Sequence, residues 1–218
     1  MLSEIFTLIK KEFTLEWRTK SSMAGMVVYI LSSIFISYLS FKSIVDVPTW
    51  NALFWLLILF AAVNSVAKSF LSESRGVQLF YYTFLNPQSV IFSKIIYNGS
   101  MLFILSLITF AAYTIFLGNP VQNILLFFVT LLIGCFGLSS VLTMISSIAS
   151  KAGQQSTFMA ILGFPVLLPL LMMLIRLSKN AIDGIEMSAN YQYIVLLVAL
   201  NIMIPALAFI LFPYLWRE

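Results

Sequence analysis

Six apolar runs divide the chain, with polar residues collected between them. They lie near Ser22–Phe41, Trp50–Ala67, Ile96–Leu117, Asn123–Ala149, Thr157–Leu177 and Tyr193–Pro213. An α-helix needs about 20 apolar residues to cross a bilayer. The pattern therefore predicts an all-α polytopic membrane protein with six transmembrane helices. The second run is short if it ends at Lys68, so its helix is expected to continue into the loop beyond. The fourth is long enough to tilt or to extend past the membrane. Residues 2–18 show a different pattern. Leu2, Ile5, Phe6, Ile9, Phe13 and Trp17 share one helical face, while Ser3, Thr7, Lys10, Lys11, Thr14 and Arg18 share the other. This predicts an amphipathic helix in the interface, apolar side toward lipid and lysines toward headgroups. The charge of this stretch, with no small-residue cleavage site after a short core, argues against a removed signal peptide. Without repeat or linker, residues 1–218 read as one transmembrane domain, with the interfacial helix at 1–20.

Composition strengthens the membrane reading. Hydrophobic residues make up 61% and charged residues 9% of the 218 residues, against about 45–50% and about 25% in soluble domains. Charge then gives orientation. With six spans both termini share a side, which holds Lys10, Lys11, Arg18, Lys20, Lys68, Arg75, Lys94, Lys151 and Arg217. The other side holds Lys42, Arg176 and Lys179. Nine cations against three place both termini and the loop from Lys68 to Lys94 in the cytoplasm. The net charge of +4 fits lipid headgroups and topology, not nucleic acid. The outer loops, Lys42–Thr49, Gly118–Gln122 and Ser178–Gln192, are too short for a domain, though the last has room for a turn of helix.

The stretch from Ala61 to Lys94 is the one long piece not built for lipid. Gly76 suits a helix stop. Gln78 to Leu85 then make about two turns of an aromatic helix. Asn86 and Pro87 suit the cap and first residue of the next helix, which carries Lys94 at headgroup level into the third span. Such a segment either docks on a cytoplasmic partner or rests its aromatics among headgroups. Small residues recur in the fourth span: Gly134, Gly137, Ser139, Ser140, Ser146, Ser147 and Ser150. They allow close helix approach, within the protomer or at a dimer seam. Gly163, Pro165 and Pro169 in the fifth span, and Pro205 in the sixth, mark kinks or a substrate path.

Chemistry is constrained by what is missing. There is no histidine and one cysteine, Cys135. A Ser-His or Cys-His pair, a metal cluster and an internal disulfide are thereby excluded. All eight acidic residues lie in predicted tails or loops, and no Lys or Arg is expected deep in a span, which leaves a proton-coupled carrier little to work with. A Gly-x-x-x-x-Gly-Lys-Ser/Thr phosphate loop is also absent. Uphill transport would need an ATPase on another chain. No catalytic, metal-binding or tight cofactor-binding residue is expected.

Leu53–Phe70, LFWLLILFAAVNSVAKSF, and Glu73–Asn98, ESRGVQLFYYTFLNPQSVIFSKIIYN, resemble CcmB, the heme exporter protein B permease of cytochrome c maturation. The Gly163–Pro169 run, GFPVLLP, and the six spans extend the resemblance over most of the chain. Many relatives carry a Leu-Glu pair after the glycine and two later prolines; here the places read Val77-Gln78-Leu79-Phe80, with Pro87 alone. The resemblance implies an ABC exporter permease whose 68–94 loop is a cytoplasmic coupling helix. Its coupling residues would be Glu73, Arg75, Gly76, Phe80, Tyr81, Tyr82 and Pro87. The implied partners are a CcmA-like ATP-binding subunit, CcmC-like and CcmD-like membrane proteins and a CcmE-like heme chaperone. Two permease copies per complex and a bacterial inner membrane are also implied. ATP would bind the partner, and heme would be the handled ligand, exported or released on its chaperone. The alternatives are an ABC permease for another hydrophobic substrate, such as a lipid or drug, or a non-transporting scaffold of the heme-handling complex.

Overall fold

The computed structural model describes residues 2–19, 21–41, 46–71, 81, 85–151 and 155–217. Seven helices follow in order among them: α1 (Leu2–Thr19), α2 (Ser21–Phe41), α3 (Val47–Leu71), α4 (Pro87–Leu117), α5 (Ile124–Lys151), α6 (Gln155–Ile182) and α7 (Tyr191–Arg217). A 3-10 turn, Ser188–Asn190, precedes α7, in the loop with room for one. Helices α2 to α7 are each long and apolar enough to cross a membrane. The six expected spans all appear.

Local chemistry sets the helix ends. Asp46 caps α3 by accepting the Thr49 N–H at 3.3 Å, and Pro48 sits in the first turn, where an N–H would be unpaired anyway. Asn123 caps α5, its Oδ1 accepting the Leu126 N–H at 3.1 Å. Helix α6 ends on Gly184, whose φ of 75° is left-handed. The Ile185 N–H reaches back to the Asn180 carbonyl at 3.0 Å, closing the turn that only glycine adopts without strain.

Helix α4 begins at Pro87, as expected, and runs 31 residues, about 46 Å against a hydrocarbon core of about 30 Å; the departure from expectation is the setting of Lys94. Lys94 therefore lies two turns inside the helix. It is 2% exposed, not at a free headgroup-level surface, because α1 packs over it.

Helix α5 sits at the centre, touching α3, α4, α6 and α7. Its small residues make those contacts possible. A Cβ on Gly134 would stand 2.7 Å from Leu174 Cδ2 and 2.9 Å from Trp55 Cη2. One on Gly137 would stand 2.9 Å from Asn201 Nδ2. The Ser139 hydroxyl donates to the Ile95 carbonyl at 2.9 Å, and Ser140, Ser146 and Ser147 are buried as well. The stripe serves packing within the protomer. Toward the loop end, Trp50, Phe54, Phe110, Tyr113 and Phe127 interlock edge to face and in tilted pairs.

A buried polar knot ties α3 to α6. The Trp55 indole N–H donates to Ser178 Oγ at 2.8 Å, and Ser178 in turn lies 2.7 Å from Asn51 Oδ1. The Asn51 amide donates to the Ile175 carbonyl at 2.8 Å. Trp55 is thus held at its N–H end and cannot swing away from α5. Gly134→Ala is accordingly expected to destabilise the bundle by about 1–3 kcal/mol, the cost of overpacking a filled core. Thermal unfolding in detergent measures it, and an unchanged midpoint would mean that Leu174 and Trp55 yield freely.

Candidate functional site

The expected coupling segment is described at Tyr81 and again from Leu85. Glu73, Arg75, Gly76, Phe80 and Tyr82 lie outside the described residues. Tyr81 is helical, and the Leu85 N–H donates to its carbonyl at 3.2 Å. Pro87 opens α4 behind Asn86, whose φ of −72° and ψ of 128° are extended. Asn86 holds the cap position, but its side chain makes no capping bond. It donates instead to Glu4 Oε2 at 3.3 Å.

Tyr81 is the pivot. It is 4% exposed and packs with Leu8 of α1, Val90, Ile91 and Ile95 of α4, and Ala208 and Phe212 of α7. Its hydroxyl accepts a hydrogen bond from the Lys11 ammonium. Three helices that are far apart in sequence thus meet on one aromatic ring.

A polar seam continues from there between α1 and α4, which run side by side in the same direction. Glu4 Oε2 accepts the Ser89 hydroxyl at 2.8 Å. The Ser89 hydroxyl, and next the Asn86 amide, hold the Glu4 carboxyl below its ordinary pKa. Glu12 Oε1 lies 3.4 Å from the Lys11 ammonium and 3.8 Å from that of Lys94. The Tyr97 hydroxyl reaches Glu16 Oε2 at 3.5 Å, and its ring meets Phe13 edge to face at 5.1 Å. The chain of contacts runs Tyr81, Lys11, Glu12, Lys94.

Sequence reasoning found α1 but divided it into only two faces. Leu2, Phe6 and Trp17 are exposed as expected of a lipid-directed side. Glu4, Leu8, Glu12 and Glu16 form a third row, turned to α4. The signal was present in the spacing: Glu4, Leu8, Glu12 and Glu16 recur every four residues along one side of a helix, and its glutamates meet Asn86, Ser89, Lys94 and Tyr97 in chain order. Lys11 turns inward with that row instead of standing among headgroups.

The remaining predicted positions do not join this site. Gly163 is buried, and a Cβ there would stand 3.5 Å from Ile145 Cδ1, an ordinary contact. Pro165 and Pro169 lie on the exposed side of α6, and Pro205 is half-buried on α7. Among the described residues no group of three His, Cys, Asp or Glu could hold a metal. Cys135 is buried, with its Sγ 3.4 Å from Ser106 Oγ.

Six membrane-length helices and a buried ionic seam between α1 and α4 define a multi-pass membrane protein in which α1, α4 and α7 meet around Tyr81, with Lys94 close by. The chain matches the family model described as CcmB protein over residues 3–213. It belongs to the CcmB family and is a membrane component of the heme exporter system of cytochrome c maturation, within a complex of several subunits. No curated protein and no solved structure matches it.

Proposed function

We propose that this chain is the permease of an ABC transporter in the bacterial inner membrane, with both termini cytoplasmic. A separate CcmA-like ATPase engages the 68–94 segment, and ATP binds there, not to this chain. CcmC-like and CcmD-like proteins and a CcmE-like heme chaperone complete the assembly, with two permease copies. Hydrolysis serves heme export or release of the loaded chaperone.

The observation that carries the reading is the burial of Tyr81. A push on its segment must move α1 through Lys11 and Leu8, α4 through Val90 and Ile91, and α7 through Phe212. A side chain resting among headgroups would transmit nothing. Release of the chaperone without conduction is favoured by one further feature. The outer-loop end of the bundle interior is filled by the Trp50, Phe54, Phe110, Tyr113 and Phe127 rings, and among the described residues no cation contacts these rings to meet heme propionates; Arg176 and Lys179 lie on the outer face of α6.

A mild-detergent pull-down of the full chain, co-expressed with the ATPase, tests the proposal. The ATPase is expected to co-purify, and a strain lacking the chain is expected to lose covalent heme staining of c-type cytochromes. A monodisperse chain without ATPase would overturn it. Sustained ATP-dependent heme flux in vesicles would decide for export over release.

A further inference from the structure

Two cations near the end of α6 stand on one exposed stripe. Arg176 and Lys179 are one turn apart near the end of α6, and both are exposed. Arg176 lies within the span Gly163–Ile182, about 9 Å of helix rise before its last residue. It does not hang free: its guanidinium stacks on the Tyr193 ring, 4.8 Å from the centroid. Neither cation makes an ion pair among the described residues. Tyr191 and Tyr193 mark the depth, since tyrosines gather where hydrocarbon meets headgroups. Deeper on the same stripe come Met172, Leu168 and Pro165, all exposed, at the helical spacing that continues the line of Arg176.

The arrangement is an apolar rail beneath a pair of cations, one of them held on the Tyr193 ring. We propose that this stripe binds an anionic glycerophospholipid, its phosphate held between Arg176 and Lys179 and one acyl chain lying along Met172, Leu168 and Pro165. Charge complementarity selects the head, because a guanidinium is suited to bidentate phosphate contact. Stacking on Tyr193 holds it ready without rotamer loss on binding. A zwitterionic lipid brings its own cation and gains less. Depth favours a lipid over a soluble anion, since the rail faces away from the bundle at the level of a leaflet. The site is separate from the α1–α4 seam, and its test does not depend on ATPase coupling.

The full chain would be purified in detergent, and lipids retained from phosphatidylglycerol and from phosphatidylcholine mixtures compared by native mass spectrometry. Phosphatidylglycerol retention is expected to exceed phosphatidylcholine retention and to fall about thirtyfold in Arg176→Gln/Lys179→Gln, given the usual worth of two cations at an anionic surface. Tyr193→Leu is expected to cause part of that loss with both cations present, and Tyr193→Phe, which keeps the ring, much less. Unchanged thermal unfolding of the variants would show that the loss is not misfolding. Equal retention by wild type and the double variant would overturn the proposal. So would a stripe that binds a dicarboxylic porphyrin in a cation-dependent way while showing no preference among lipids.

Discussion

Lys94→Ala is expected to release α1 from α4 and to abolish c-type cytochrome formation while the chain still inserts. The Lys94 side chain is 2% exposed, and Glu12 Oε1 lies 3.8 Å from its ammonium. Removing one member of a buried pair leaves its partner desolvated and uncompensated, at about 3–5 kcal/mol. Glu12 keeps 18% exposure and the Lys11 ammonium at 3.4 Å, so it is left neither dry nor unpaired, and the cost falls below that range. Lys11 stays 3.4 Å from Glu12 but is drawn away from Tyr81 if it must compensate alone. Loss of Lys94 should then be felt at Tyr81, through two contacts. Lys94→Met combined with Glu12→Gln removes both charges and keeps volume, so it is expected to restore most of the docking, because replacing a whole buried pair is often neutral. Limited proteolysis between α1 and α2 reads the docking, and heme staining reads the function. An α1 in Lys94→Ala as protected as in the wild type would show that apolar contacts at Leu8 and Phe13 suffice.

The spans were legible because each is a one-dimensional property: a run of apolar residues has to be about as long as the membrane is thick. The buried place of Lys94 was not legible in the same way. Its neighbours in sequence, Ser93 and Ile95, gave no sign that a glutamate some eighty residues earlier would cover it. A lysine at the edge of an apolar run reads as an anchor to headgroups unless a second helix is known to pack there. The same holds for α1. Its apolar face was visible, and Leu2, Phe6 and Trp17 stay exposed. The glutamates Glu4, Glu12 and Glu16 fell on neither of the two faces read from the sequence, because amphipathicity along one helix distinguishes only lipid from water. Contact with another protein helix adds a third, which only the pairing of two distant sequences discloses. Asn86 is an intermediate case. Its cap position follows from Pro87, while its side-chain amide donates to Glu4, a charged acceptor that α1 places there.

The glycines and serines of α5 were ambiguous for a different reason. Small residues permit close approach without naming the partner. Gly134 against Trp55 and Gly137 against Asn201 settle that the partners are α3, α6 and α7 of the same chain. The ring of Trp55 is fixed from the other side by Ser178, so close approach and the polar knot are one device: each holds the geometry the other requires.

Substitutions at Tyr81 are expected to separate burial from hydrogen bonding in the link between the bundle and the segment proposed to engage the ATPase. Tyr81→Phe keeps the ring among Leu8, Val90, Ile91 and Phe212 and loses only the hydroxyl that Lys11 donates to, a change of about 1 kcal/mol. Lys11 can still sit over the ring, 4.8 Å from its centroid. Tyr81→Phe is therefore expected to keep the ATPase bound and cytochromes maturing. Tyr81→Ala removes the ring and should cost about 3–5 kcal/mol, as for large aromatic truncations. Tyr81→Asp adds a carboxylate to that apolar cluster, and the nearby Lys11 offsets it only by leaving Glu12. Both are expected to lose the ATPase from the pull-down and covalent heme from the cytochromes, with the spans still inserted. If Tyr81→Phe fails as completely as Tyr81→Asp, the link runs through the hydroxyl and the Lys11–Glu12–Lys94 relay. If Tyr81→Ala behaves as wild type, force does not pass through this ring at all. The graded outcome, Phe near wild type and Ala near Asp, is what mechanical coupling through packed volume requires, because a packed ring transmits displacement in whatever direction its neighbours block, whereas a single hydrogen bond constrains only one.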